Sequence, residues 1–275
     1  MKHRLAFQQT QLSWYQDGPS APVPLVLLHG FCEDASIWED LLQRIPEIPV
    51  LRIDLPGFGD SGSVHTPDVS QYANGVLAVL DEAQVQQCVL VGHSLGGYVA
   101  LAFAQQYPER LKGLGLYHSH PFADTPERVA ARRRGIELLQ SGKKDLYVSQ
   151  LFPGLFTPDF VEKHPDIVQK LIKNGQKQSS EGIIAALEVM IHRPDHTETL
   201  RNITCPLLLL LGATDPLISL QDTLKAALPA AALSVSILPG VAHMGMFEAP
   251  EACSQIVAQF WQFCSADYLQ SGSNV

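Results

Sequence analysis

The feature that most restricts the fold of this chain is a series of short, continuous apolar runs, each followed by a stretch with helical spacing. PLVLLHG (Pro24–Gly30), PVLRIDLPG (Pro49–Gly57), CVLVG (Cys88–Gly92), LKGLGLYHS (Leu111–Ser119), PLLLLLGATD (Pro206–Asp215) and ALSVSILPG (Ala232–Gly240) read as strands, most of them continuous apolar runs. A strand that is apolar on both faces must be covered on both, which is the condition of a parallel sheet held between helices. Residues 36–43, 69–83, 97–107, 220–228 and 250–264 have the spacing to supply those helices. Leu5–Tyr15 reads as a hairpin or a pair of edge strands. The fold class expected is α/β: a mostly parallel central sheet with helices on both faces.

One long segment breaks the alternation. From Pro121 to Thr199 there is no strand-like run. Thr125-Pro126-Glu127 is a helix start whose helix can run to Gly142, Asn174-Gly175 is a helix stop, and Ser180–His192 is a helical stretch ended by Pro194. Helices lodged between two core strands form an inserted cap. The expected organisation is a core of residues 1–120 and 200–275 with a helical cap at 121–199.

Composition narrows the function classes. The 275 residues are 46% hydrophobic and 17% charged, as in a folded soluble protein large enough for a substantial core. A formal net charge of −9 argues against a sequence-independent grip on nucleic acid or an anionic membrane surface. The one basic run, Arg132-Arg133-Arg134, reads as the solvated face of a helix. The five cysteines (Cys32, Cys88, Cys205, Cys253, Cys264) contain no Cys-x-x-Cys pair and fit reduced thiols. MKHRLAFQQT at the start lacks the apolar region of a signal peptide, and Pro206–Leu211 is too short to span a bilayer. These features lead us to expect a cytoplasmic protein.

The chemistry lies in CVLVGHSLGGY (Cys88–Tyr98). Gly92-His93-Ser94-Leu95-Gly96 is a Gly-x-Ser-x-Gly pattern. Chance would place one in about one chain in ten of this length, so the context must carry the argument. That context is a strand before and a helix after, with glycines allowing a sharp turn that displays Ser94. A serine hydroxyl needs a base. His243, in LPGVAHMGMFE, follows the last strand and so falls on the carboxyl edge of the sheet. The base needs a carboxylate to hold its tautomer, and Asp215 follows the preceding strand on the same edge. The oxyanion would be held by the backbone N–H of Leu95, at the start of a helix, and by that of Phe31, after His29-Gly30.

LLHGF, DLPGFGDSG, VGHSLGG, LLGATDPLI and GVAHMGMFEAPE together resemble the α/β-hydrolase superfamily in order and spacing. The resemblance spans almost the whole chain outside the cap. It implies Ser94 as nucleophile, Asp215 as acid, His243 as base, and Phe31 and Leu95 at the oxyanion hole. Asp124, in YHSHPFAD, is the alternative acid used by some members. Dehalogenase-like members carry Asp as nucleophile, and Ser94 argues against that chemistry.

The remaining candidates have plainer expectations. His118 and His120 flank the cap entrance, and His118 is a candidate for contact with substrate; neither has a recognisable metal-ligand set. Asp54 is expected to order the Pro56-Gly57 loop, and Arg193 and Asp195 to tie the cap to the core. Cys32 reads as a small buried filler, and Phe152, Phe156, Phe160, Leu187 and Met190 as cap packing. The activity expected is hydrolysis of small or medium apolar esters, thioesters or lactones by an acyl-enzyme route, with neither metal nor organic cofactor. C–C bond hydrolysis or a lyase reaction on the same scaffold is the rival, and a non-catalytic small-ligand receptor the third reading. A small-molecule substrate is expected, with no nucleic-acid or membrane partner.

Overall fold

The computed structural model describes residues 1–64 and 68–266, so 267–275, assigned above to the core, lie outside the described residues. Strands β1 (Lys2–Phe7), β2 (Thr10–Asp17), β3 (Leu25–Leu28), β4 (Val50–Ile53), β5 (Cys88–His93), β6 (Leu111–Tyr117), β7 (Leu207–Gly212) and β8 (Leu233–Leu238) form one sheet in the order β1-β2-β4-β3-β5-β6-β7-β8. The hairpin β1–β2 is antiparallel and β2 joins β4 antiparallel; every pairing from β4 to β8 is parallel. Strands β3, β4, β5 and β7 are buried along their whole length, as their unbroken apolar runs require.

The core helices are α1 (Glu39–Arg44), α2 (Val69–Glu82) and α3 (Leu95–Gln106). Between β6 and β7 the chain forms α4 (Pro126–Gln140), α5 (Lys144–Leu151), α6 (Pro158–Lys163), α7 (Pro165–Lys177), α8 (Ser180–His192) and α9 (Thr197–Arg201). It continues with α10 (Leu220–Ala227), α11 (Gly245–Glu248) and α12 (Pro250–Ser265). Helix α2 packs on α3, and α1 on α12. Among the described residues no helix is long and apolar enough to cross a membrane. All five cysteines are free and buried.

The α4 start follows its sequence signal: Thr125 caps the helix by accepting the Arg128 N–H, and Pro126 occupies the first turn. The helix stop expected at Asn174-Gly175 is not found, because α7 continues to Lys177. Gly175 serves packing rather than termination: a Cβ there would lie 2.6 Å from the Phe152 ring and 2.8 Å from Val148. Phe152, Phe156, Phe160, Leu187 and Met190 are all buried.

The strand order places the site. β4 lies on one side of β3 and β5 on the other, so the chain departs in opposite directions from the carboxyl ends of β3 and β5. Open parallel sheets leave a crevice at such a reversal. Phe31 and Ser94 stand just beyond these two strand ends.

Candidate active site

Ser94 sits between β5 and α3 with φ 49° and ψ −112°, a conformation that L-residues seldom adopt. The turn is held by Ser94 N–H donating to Tyr117 O at 3.0 Å and by the Ser119 hydroxyl donating to Ser94 O at 2.8 Å. Gly96 lets α3 approach β3: a Cβ would lie 2.5 Å from the Leu28 carbonyl oxygen. Cys32, after β3, and His118, after β6, also have positive φ, 60° and 46°. Three neighbouring strand ends thus carry a constrained non-glycine residue, the kind of local strain that collects at functional sites.

His243 and Asp215 meet. Nδ1 of His243 lies 2.8 Å from Oδ2 of Asp215, and both side chains are almost fully buried. Oδ1 of Asp215 accepts the N–H groups of Leu217 and Ile218 at 2.8 and 3.2 Å. Burial opposes ionisation of Asp215, but the charge of His243 and the hydrogen bonds from His118 and His243 outweigh it. The carboxyl is held well below the usual carboxylate range. His243 N–H donates to Leu155 O at 2.9 Å, which anchors its loop to the chain segment after α5.

Ser94 and His243 share the wall of a cavity of about 250 Å³ with Phe31, Glu33, His93, Tyr98, Arg128, Arg132, Tyr147 and Met190, among others. Among the described residues the Ser94 hydroxyl makes no hydrogen bond; such bonds are often long in resting sites and tighten with substrate. Phe31 is half-buried and Leu95 buried, and no acceptor among the described residues takes either backbone N–H.

His118 does not reach the cavity wall. It is fully buried behind the acid, with Nδ1 3.2 Å from Asp215 Oδ2 and 3.1 Å from the Gly212 nitrogen. One nitrogen cannot both donate to the carboxylate and accept the Gly212 N–H. The charge-assisted bond to Asp215 is the stronger, so we place the proton on Nδ1. Burial pushes the His118 pKa down to about 4 despite Asp215, and the ring is neutral near pH 7. Donor atoms of His118, Asp215 and His243 lie within 4.8 Å of one another. We read this as a hydrogen-bond network, because both imidazoles direct an N–H at one carboxylate oxygen.

Asp124, the alternative acid, lies elsewhere: it pairs with Arg132 and, at 2.8 Å, with Arg193. Arg193 also stacks over Tyr98 of α3, 4.0 Å from the ring centre. Asp195 accepts the Thr197 N–H just before α9. Asp54 accepts the N–H groups of Ala35 and Asp60, bracing the loop after β4. Arg133 and Arg134 are exposed, whereas Arg132 departs from the solvated face expected of it: it folds back onto Asp124 and lines the cavity.

Two residues given no role in the sequence complete the site. Glu33 Oε2 accepts the Gly30 N–H at 2.6 Å and faces His93 Nδ1 at 3.1 Å; His93 Nε2 faces the His243 carbonyl at 3.1 Å. His93 donates to the carbonyl through Nε2, so the contact with Glu33 requires a second proton. Burial opposes charge on both, but each partner's charge prevails: Glu33 is lowered and His93 raised, giving a buried ion pair. The pair links the loops after β3, β5 and β8. Its only sequence signal is the histidine inside the Gly-x-Ser-x-Gly motif.

Comparison with known proteins agrees with this architecture. The sequence model of the alpha/beta hydrolase family matches residues 25–256. The chain is 31% identical over 208 residues to a pimeloyl-[acyl-carrier protein] methyl ester esterase of Neisseria meningitidis, covering 72% of this chain and 76% of that one. It is 26% identical over 238 residues to a 2-succinyl-6-hydroxy-2,4-cyclohexadiene-1-carboxylate synthase of Enterobacter, covering 86% and 90%. A thermophilic esterase structure from Thermogutta terrifontis, solved with malate bound, superposes with a TM-score of 0.90 at 26% identity, covering 97% of this chain and all of that one.

Proposed function

Since this chain belongs to the alpha/beta hydrolase family, a family of enzymes, we propose that it hydrolyses small carboxylic esters through Ser94, His243 and Asp215. His243 removes the Ser94 proton as the hydroxyl attacks the acyl carbon, and the N–H groups of Phe31 and Leu95 hold the resulting oxyanion. The imidazolium then protonates the leaving alcohol. In the second half-reaction His243 activates water to release the acid. Asp215 keeps the His243 proton on Nδ1 and stabilises the imidazolium. The helices between β6 and β7 act as the cap, with Tyr147, Leu151, Leu155 and Met190 forming an apolar wall over the site. The free, buried cysteines favour a reducing, cytoplasmic setting.

The observation that carries this reading is the 2.8 Å His243–Asp215 bond, with His243 lining the cavity that also presents Ser94 in its constrained turn. A fluorophosphonate should label the native protein covalently, and Ser94→Ala should abolish the label. A folded native protein that takes up no label refutes the mechanism. The synthase relative keeps a second reading open, a C–C bond or elimination reaction on the same scaffold. Multiple-turnover release of p-nitrophenol from short-chain esters supports hydrolysis of esters over it.

A further inference from the structure

The helical end of the cavity is built unlike its apolar wall. Arg128 and Arg132, both on α4, line the same cavity as Ser94 and His243, and Arg193 stands behind them against Tyr98. Asp124 is the one carboxylate that pairs with any of the three among the described residues, and it is shared by Arg132 and Arg193. Arg128 pairs with none. Three guanidinium groups against one carboxylate leave an excess of two positive charges, in a protein whose overall charge is −9. Glu33, the acid that lines this cavity, is committed to His93, and Asp215, behind the wall, to His243.

The donors of the same cluster are only partly met: Arg128 Nη2 donates to the Leu217 carbonyl, and Arg193 to the carbonyls of Phe122 and Met190. Arg128 Nη1 and the Tyr98 hydroxyl both converge on His120 Nε2, at 3.0 and 3.2 Å, while the Phe122 N–H donates to His120 Nδ1 at 3.1 Å. A neutral imidazole has one acceptor nitrogen, so it cannot accept from both Arg128 and the Phe122 N–H. Burial, reinforced by Arg193 and Arg128, pushes the His120 pKa down to about 3, so this ring is neutral near pH 7. Nη2 of Arg193 is buried with no hydrogen-bond partner among the described residues. Unmet buried donors are costly, and a ligand in the cavity that brings acceptors and negative charge offsets the excess positive charge at Arg128 and Arg132. Arg128 also lines an adjoining hollow, together with Arg201, Asp222 and Lys225.

We propose that the substrate ester carries a second, anionic group, a free carboxylate, that docks on Arg128 and Arg132 at the helical end of the cavity. The inference rests on the ester-hydrolase reading and names its substrate class: half-esters of small dicarboxylic acids, or carboxylate-bearing esters of small hydroxy acids. The planar guanidinium fork matches a carboxylate, and a cavity of about 250 Å³ suits a short molecule. Hydrolysis adds water across the acyl C–O bond. The acyl carbon keeps the hydroxyl oxygen, the alcohol oxygen takes the proton, and the distal carboxylate is unchanged.

Two matched ester pairs test this. Monomethyl adipate against methyl hexanoate places the charge on the acyl half; 4-acetoxybutanoate against butyl acetate places it on the alcohol half. In at least one pair the charged ester should have the higher kcat/KM by tenfold or more, about the increment of a charge-assisted hydrogen bond, expressed mainly in KM. Arg128→Gln should collapse that ratio to near one, and Arg128→Lys should restore part of it. Equal or inverted ratios in both pairs, or a ratio unchanged in Arg128→Gln, overturn the proposal while the neutral esters still report on hydrolysis. If no ester is turned over, thermal unfolding with adipate decides separately. Millimolar adipate should raise the Tm of the wild type and not that of Arg128→Gln, and the absence of any shift in the wild type overturns it.

Discussion

At position 93 the chain places a histidine whose ring ends 5.1 Å from that of His243, between a buried glutamate and the carbonyl of the residue proposed as base. A buried ion pair is weak evidence for stability, since its desolvation cost rivals its attraction. Its value here is geometric: it fixes the Gly30 N–H, the Ser94 turn and the His243 backbone relative to one another. Glu33→Gln removes the negative charge but keeps the shape. We expect it to cost about 2–3 kcal/mol of stability and on the order of tenfold in kcat, read by urea unfolding and p-nitrophenyl ester turnover. Retention of full kcat by the folded variant would show that the pair does not position the base. The positions of Ser94, Asp215 and His243 beyond strand ends were legible because the proposed chemistry needs those residue types at that edge. Glu33 was not, because nothing local distinguishes a carboxylate that turns inward from one that caps a loop.

Between elements, Glu248 of α11 joins what the sequence separates. Its carboxylate accepts the N–H groups of Ala242 at 3.0 Å and Met244 at 3.4 Å, on either side of His243, and that of Thr157, just before α6, at 2.9 Å. The His243 loop and the helical insertion are therefore braced by one side chain. Glu248→Ala leaves three partly buried donors unsatisfied. It should cost about 3 kcal/mol and reduce ester turnover, seen as a lower urea midpoint and a lower kcat. An unchanged midpoint would mean that solvent replaces the carboxylate without penalty. The central strands β3, β4, β5 and β7 matched their sequence patterns because burial on both faces leaves a distinct composition, whereas β8, on the sheet edge, is partly exposed. The order of helices inside the insertion was less visible: Gly175 reads as a stop by local propensity, and only the Phe152 ring against it explains a helix that continues.

Across the whole molecule, His118 and His120 make stability depend on pH. Their pKa values fall from 6.5 in the unfolded chain to about 4 and about 3 in the fold, chiefly through burial. Between pH 6.5 and 4 the unfolded state binds protons that the folded state refuses, so stability falls as pH falls. At pH 5 each histidine should cost roughly 2 kcal/mol relative to neutral pH. His120→Asn should shrink the difference between the urea midpoints at pH 7 and pH 5, and a variant with the same pH dependence as the wild type would contradict the assignment. Asp215 acts in the same direction at lower pH, since its lowered pKa contributes stability that is lost as the carboxylate is protonated.

The sequence by itself determined the parallel sheet, the helical insertion and the residue types at the strand ends, because apolar periodicity and turn chemistry are local and survive in one dimension. The tertiary structure alone decided which of those residues face one another. It turned His118 behind Asp215, drew Arg132 off the solvated face onto Asp124, and paired Glu33 with His93. Each of these depends on packing between segments far apart in the chain, where burial strengthens charge interactions and no local pattern records the partner.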